Sequence, residues 1–143
     1  MRDEIKITKV IADHIKRVNN IMDFVERNLD KELSLKSLSE MANYSPYHFH
    51  RIFLQVTKET LNSFIVRKRI EKIAAILTVG TEESLSDLAF KYGFSCGNAF
   101  SRAFRKFYDV NPSDFKERFS KIGVEVLNYD KYICKIKNKE KKT

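Results

Sequence analysis

Large apolar side chains recur at intervals of three and four residues along most of the chain, a spacing that places them on one side of an α-helix. Only four glycines and two prolines interrupt the 143 residues, so few points are marked as helix ends. The pattern therefore predicts an all-α protein. Its first clear apolar stripe consists of Ile15, Val18, Met22, Val25 and Leu29.

Residues typical of helix starts mark the elements that follow this stripe. Ser34 precedes a short apolar-periodic segment, and Ser45 followed by Pro46 reads as an N-cap and first-turn pair. A longer amphipathic stretch ends at Gly80, and at 1.5 Å per residue it spans about 28 Å. The predicted helices after the first span about 35–41, 46–56, 61–79, 85–92, 97–107 and 112–121.

One segment of the chain occurs twice. "LKSLSEMANYSPYHFHRIF" aligns with "LSDLAFKYGFSCGNAFSRAF" at an offset of fifty residues, and one extra residue then enters the second copy. Two short helices separated by a tight turn form a helix-turn-helix, so we interpret the chain as carrying this motif twice. The aligned pairs are Leu35 with Leu85, Leu38 with Leu88, Tyr44 with Phe94, Ser45 with Ser95, Phe49 with Phe100, Arg51 with Arg102, Phe53 with Phe104 and Phe64 with Phe115.

The repeat sets the expected organisation of the chain. Beyond residue 121, a weak alternation at Val124 and Val126, and again at Tyr132, Cys134 and Ile136, is consistent with one or two short β-strands at the C-terminus. The predicted segments are an N-terminal arm (1–12), a first helix-turn-helix unit (13–60), a long linker helix (61–80), a second helix-turn-helix unit (81–121) and a C-terminal extension with a lysine-rich tail (122–143).

Helical geometry separates core from exposed positions in the second helix of each unit. At 100° per residue, Phe49, Ile52, Phe53 and Val56 share one predicted core face, as do Phe100, Ala103, Phe104 and Phe107 in the second unit. The opposite faces carry hydrogen-bonding side chains of the types that recognise base edges, arginine for guanine and asparagine for adenine. These candidates are Tyr47, His50, Arg51 and Gln55 in the first unit, and Asn98, Ser101, Arg102, Arg105 and Lys106 in the second.

Composition favours a polyanionic partner. Lys and Arg number 27 against 19 Asp and Glu, for a net charge of +8, although residues 135–143 supply half of it. Two cysteines are too few for a disulfide framework, and no apolar run approaches the length of a membrane span. We therefore expect a cytoplasmic protein that binds double-stranded DNA. The alternative is a helical interaction module whose basic surface binds RNA or an acidic protein.

Enzymatic and metal-binding interpretations find little support in the residues. His48 and His50 lie about 200° apart on a helix, so they cannot face one metal ion together. No serine or cysteine is placed beside a histidine with an orienting acid. We predict no enzymatic activity, no cofactor and no metal. His48 itself remains open, either as a side chain at the edge of the core or as a phosphate contact.

The two motifs resemble the DNA-binding domain of the AraC/XylS family of bacterial transcription regulators. The similarity covers about residues 13–120 and is most specific in "LAFKYGFSCGNAFSRAFRKFYDVNPSDFK". It implies two recognition helices in successive major grooves, transcription activation and a contact with RNA polymerase. It also implies base-reading or adjacent positions for Tyr47, His50 and Arg51 in the first unit, and for Gly97, Asn98, Ala99, Ser101 and Arg102 in the second. Because the two exposed faces differ and one chain supplies both, we expect an asymmetric DNA site and a monomer.

The chain departs from the family pattern at several positions. Family members usually have glycine where Lys58 stands, in a left-handed conformation that lysine adopts less readily, and Asp109 is the milder matching change in the second unit. Leu54 replaces a commonly basic residue, which implies one fewer backbone contact. Gly97 has no side chain, so the second unit is expected to read fewer bases directly or to read DNA shape.

Overall fold

The computed structural model describes the backbone of residues 2–122 and the side chains of residues 2–119, and every element in that part of the chain is an α-helix. The all-α prediction is thereby confirmed for residues 2–122, whereas the short strands expected near the C-terminus lie outside the described residues. The helices are α1 (Arg2–Arg27), α2 (Leu35–Met41), α3 (Pro46–Thr57), α4 (Leu61–Val79), α5 (Leu85–Lys91), α6 (Gly97–Tyr108) and α7 (Pro112–Ile122).

Helix α1 is longer than the apolar stripe that predicted it. The segment 1–12, interpreted from the sequence as an arm, is helical from Arg2 onward. Asp3 and Glu4 in its first turn stabilise this start, because acidic side chains interact favourably with the free N–H groups there. At the other end the helix stops at Arg27, and the last residue of the stripe, Leu29, is buried just beyond it.

The chain divides into two compact units, and the division falls inside α4, between Ile65 and Val66. The first unit contains α1, α2, α3 and the start of α4. Its core is built around Phe49, Phe53 and Phe64, whose rings follow one another at centroid distances of 5.9 and 5.6 Å. Around these rings pack the buried side chains Val18, Ile21, Val25, Leu38, Ile52 and Leu61.

The second unit contains the rest of α4 and helices α5, α6 and α7. An aromatic cluster fills it, with ring centroids 5.2 Å apart between Phe104 and Phe115 and 5.0 Å apart between Phe104 and Tyr108. Tyr108 was not among the predicted core residues of α6, and it is buried while Phe107 and Ala103 are half-buried. The core face of α6 is therefore rotated about the helix axis towards Tyr108 and away from Ala103 and Phe107.

The sequence repeat is also a repeat of local geometry. Ser34 and Ser84 cap α2 and α5 by accepting a hydrogen bond from the backbone N–H three residues later. The tight turns that follow these helices contain Asn43 and Gly93, both with positive φ. At the ends of α3 and α6, Lys58 and Asp109 both adopt the left-handed conformation, with φ of 63° and 59°.

Candidate nucleic-acid interface

Helix α3 presents a polar face opposite its buried phenylalanines. It begins as predicted, with the Ser45 hydroxyl accepting from the His48 backbone N–H and Pro46 at the first helical position. Tyr47 is 73% exposed, and the guanidinium carbon of Arg51 lies 5.9 Å from the centre of its ring. This cation–π contact restrains the arginine along the helix surface without removing its N–H donors from solvent.

The other two candidates on α3 differ from each other in exposure. Gln55 is exposed, one turn beyond Arg51. His50 is half-buried and lines a small hollow of about 160 Å³ beside Leu35 and Leu61. Of the four residues predicted on α3, His50 therefore has the least side-chain surface available to another molecule.

Helix α6 carries the matching face of the second unit. Asn98, Arg102, Arg105 and Lys106 are exposed, and the Arg102 Nε–H donates to the Asn98 backbone carbonyl at 3.4 Å. Ser101 and Ala99 are half-buried on the sides of this face. Asn98 and Arg102 are brought together one turn apart, as Tyr47 and Arg51 are in α3.

The start of α6 differs from the start of α3. Cys96 is the N-cap residue but makes no side-chain capping bond, so the first N–H groups of α6 lack the hydroxyl acceptor that Ser45 gives α3. A β-carbon built on Gly97 would meet no atom within 4 Å, so packing does not require glycine at this position. An open cleft of about 420 Å³ adjoins this helix start, between α5 and the first residues of α7.

The two exposed faces share one electrostatic property. Neither Pro46–Thr57 nor Gly97–Tyr108 contains an aspartate or a glutamate, whereas each contains arginine at the equivalent position. Lys106 and Arg105 also occupy the last turn of α6, where they interact favourably with the helix carbonyls. Both helices therefore present donors and positive charge without competing carboxylates of their own.

A cluster of side chains behind the start of α3 was not predicted from the sequence. His14 on α1 hydrogen-bonds through Nδ1 to the hydroxyl of Tyr44, and the His48 ring lies edge-on to Tyr44 at 5.1 Å. Arg17 donates to the Ala42 carbonyl at 3.1 Å and places its guanidinium 5.1 Å from the centre of the Tyr44 ring. His48 therefore packs its ring on Tyr44 while its other side stays exposed.

The partial burial of Tyr44 affects the titration of its hydroxyl. Burial raises the pKa of the Tyr44 phenol above its ordinary value, and the nearby Arg17 guanidinium only partly offsets this effect. A protonated phenol can donate to His14 Nδ1, which fastens α1 to the turn that precedes α3. His14 lies in α1 and Tyr44 lies thirty residues later, in the turn before α3. No local sequence pattern therefore predicts their contact.

Among the described residues, no helix is long and apolar enough to cross a bilayer. What the described residues do contain is a helix-turn-helix in each unit, with an acid-free second helix that presents arginine to solvent. Two helix-turn-helix units of this kind are typical of DNA-binding transcription regulators.

Comparison with known proteins identifies the family within this class. Residues 38–118 match a family model described as a helix-turn-helix domain. The chain is 32% identical over 103 residues to the transposon Tn10 TetD protein of Escherichia coli, covering 72% of this chain and 74% of TetD. It is 33% identical over 99 residues to the multiple antibiotic resistance protein MarA of Escherichia coli K12, covering 69% and 77%. The chain belongs to the AraC/XylS family of transcription regulators.

Solved structures agree on the fold. The DNA-binding domain of AdpA, described as a global transcriptional factor in complex with a target DNA, superimposes with a TM-score of 0.67 at 17% identity. The match covers 76% of this chain and 97% of the AdpA chain. The family fold is that of a DNA-binding regulator and not of an enzyme.

Proposed function

We propose that the chain activates transcription by binding an asymmetric site in double-stranded DNA, with α3 and α6 in successive major grooves. The observation that carries the proposal is the repeated pair of acid-free helices, each with an arginine at the same place on the face opposite the core. The AdpA domain, which shares the fold, was solved on its target DNA. Consecutive major grooves are about 34 Å apart, so a site read by both helices covers two turns.

Each candidate residue has a role that follows from its chemistry. Arg51 and Arg102 are proposed to bind guanine O6 and N7 with two N–H donors, and Asn98 suits the N6 and N7 of adenine. Tyr47 offers a ring for thymine methyl contact, and Ser101, His50 and Gln55 offer hydrogen bonds at the sides. Gly97 and Ala99 allow close approach of the backbone, and Arg105 and Lys106 are proposed to contact phosphates.

One chain is proposed to occupy one site. A single chain supplies two different recognition helices, so it does not need a twofold-related partner to read two grooves. Because the helices are covalently joined, docking of one raises the effective concentration of the other at its groove. A contact with RNA polymerase, by which the bound chain would raise transcription, is proposed from membership of the family.

Selection of bound duplexes from a random pool tests the proposal. The expected result is a preferred sequence with two unlike parts about one helical turn apart, and a complex with one chain per duplex. The chosen duplex should compete at least tenfold better than a scrambled duplex or an RNA of equal length, since direct base contacts discriminate by about 1–3 kcal/mol each. Equal competition by RNA, or by any duplex, would reject sequence-specific DNA binding.

A further inference from the structure

The first half of α1 exposes aliphatic side chains on one side. Ile7, Val10, Ile11 and Ile15 are each between 41% and 58% exposed, and every residue from Arg2 to Asp13 is exposed. At 100° per residue these four side chains lie on the same face that is buried further along α1. We call these four residues the N-terminal seam.

An uncovered seam is unfavourable for the helix that carries it. Isolated helices shorter than about 12–15 residues are marginal in water, and most helix stability in proteins comes from packing an amphipathic face. The N-terminal seam continues the stripe that packs Val18, Ile21 and Val25 into the first unit, but its own side chains extend beyond that core. The sequence therefore maintains a packing surface over about three turns that the first unit does not use.

We propose that a second copy of this chain packs on the N-terminal seam, with the two α1 helices antiparallel. Ile7 and Ile11 have the four-residue spacing of neighbouring positions in a coiled-coil interface, and Val10 and Ile15 lie beside them on the same exposed face. A twofold axis near Val10 and Ile11 would bring Ile7 of one copy beside Ile15 of the other. Such an interface uses the same patch on both copies and closes without leaving a seam exposed.

Charge on the flank of the seam selects the antiparallel direction. Asp3 and Arg17 lie on the same flank and are separated by about 21 Å along the helix. Antiparallel pairing brings the same flank of both copies together and so places Asp3 near the partner's Arg17, whereas parallel pairing would place each of them opposite the other flank. Arg17 already pairs with Asp13 at 2.9 Å, so Asp3 would join an existing ion pair at the surface rather than form an isolated one.

The size of the seam sets the strength of the association. Four partly exposed aliphatic side chains per copy are fewer than the 20–30 residues that stable interfaces bury on each side, at about 800 Å² per partner. The free chain is therefore a monomer when dilute and pairs at high concentration. Two chains held on neighbouring DNA sites would pair more readily, because the duplex raises their effective concentration.

Sedimentation equilibrium of the full chain, from micromolar to millimolar concentration without DNA, tests the pairing. The average mass should rise from 16.8 kDa towards twice that value. Ile11→Lys and Ile7→Lys should each hold the mass at 16.8 kDa throughout. The matched control is Ile5→Lys, because Ile5 is 54% exposed against 52% for Ile11 but lies on another side of α1, and this variant should associate like the wild type.

Three results would overturn the proposal. A wild-type chain that stays at the monomer mass up to millimolar concentration has no such interface. Equal loss of association in the Ile5 and Ile11 variants would show that general helix hydrophobicity, not the seam, drives it. If the wild type stays monomeric and co-sediments with phosphatidylglycerol vesicles, the seam packs on lipid and the second copy is excluded. None of these results bears on specific DNA binding by the single chain.

Disulfide trapping tests the direction of the pair. In a chain with Cys96→Ser and Cys134→Ser, an equal mixture of Ile7→Cys and Ile15→Cys proteins should form the mixed disulfide in preference to either symmetric one. Parallel pairing would instead link each position to its own copy. That outcome would overturn the antiparallel arrangement, and an absence of any cross-link at millimolar concentration would overturn the interface.

Discussion

The guanidinium of Arg69 lies against Gly93, so closely that a β-carbon built on Gly93 would come within 2.5 Å of Arg69 Nη1. Arg69 belongs to α4, and Gly93 forms the turn between α5 and α6 with φ of +87°. Burial lowers the pKa of the Arg69 guanidinium from its very high ordinary value. The Arg69 side chain of α4 therefore packs against the turn between α5 and α6.

Replacing Gly93 with alanine should destabilise the protein by about 1–3 kcal/mol. A side chain with positive φ costs roughly 1–2 kcal/mol, and displacing the end of the flexible Arg69 side chain adds at most about 1 kcal/mol, the low end of overpacking costs. Gly80→Ala is the matched control, because Gly80 has φ of +101° and no atom within 4 Å of the added carbon. Urea denaturation of both variants separates backbone strain from the clash. Equal losses in the two variants would show that Arg69 moves aside at no cost.

Lys58→Gly should stabilise the protein by about 0.5–1 kcal/mol. The left-handed conformation costs lysine roughly 1–2 kcal/mol, and the added entropy of glycine in the unfolded chain returns part of the gain. Asp109→Gly should gain less, because aspartate tolerates this conformation better than lysine. Thermal or urea unfolding of the two variants gives the comparison. A loss of stability in Lys58→Gly would mean that the lysine side chain makes a contact worth more than the strain.

Arg51→Ala and Arg102→Ala should each relax the preferred DNA sequence at one or two base pairs, at a cost of about 1–3 kcal/mol in binding free energy. The control is Arg118→Ala, which removes the same charge from the exposed surface of α7. Repeating the duplex selection with each variant measures the effect. An unchanged preference in either recognition-helix variant would reassign that arginine to phosphate contact or to solvent.

The stability of the wild type should fall above about pH 10 more steeply than that of Tyr44→Phe. The folded-state pKa of Tyr44 is raised, so the unfolded phenol ionises first and the contribution of Tyr44 is lost as the pH rises through its folded pKa. Below that range the wild type should be more stable by about 0.5–1.5 kcal/mol, the usual contribution of one hydrogen bond. Denaturation between pH 8 and 11 tests this, and a constant gap across the range would contradict it.

Helix positions followed from local chemistry and were largely predictable. Ser34, Ser45 with Pro46, and Gly80 mark helix ends that the structure places where the sequence predicts them, because capping depends on a few neighbouring residues. The internal repeat supplied what single helices could not, namely which face of α3 corresponds to which face of α6. The exposure of Tyr47, Arg51, Asn98 and Arg102 follows from that alignment.

What the sequence did not predict depends on contacts between distant segments. The half-burial of His50 requires the start of α4 to pack beside α3, and the contact of His14 with Tyr44 requires α1 to cross the turn before α3. Val56 and Phe107 have the spacing of core residues but are only half-buried, and in α6 the buried position next to Phe107 is Tyr108, onto which the core face turns. The start of α1 was missed because its apolar residues have no partner within the first unit to mark them as core.

The different side chains at matching positions of α3 and α6 affect how the protein is oriented on DNA. Tyr47 aligns with Asn98 and Gln55 with Lys106, while Arg51 and Arg102 agree. A chain that reads DNA with two different helices fits an asymmetric site in one orientation only. The bound protein then has a fixed direction along the duplex. Every surface it offers to other proteins then faces a fixed end of the site. Inverting the site, with its distance from the promoter unchanged, would turn these surfaces of the bound protein away from the gene.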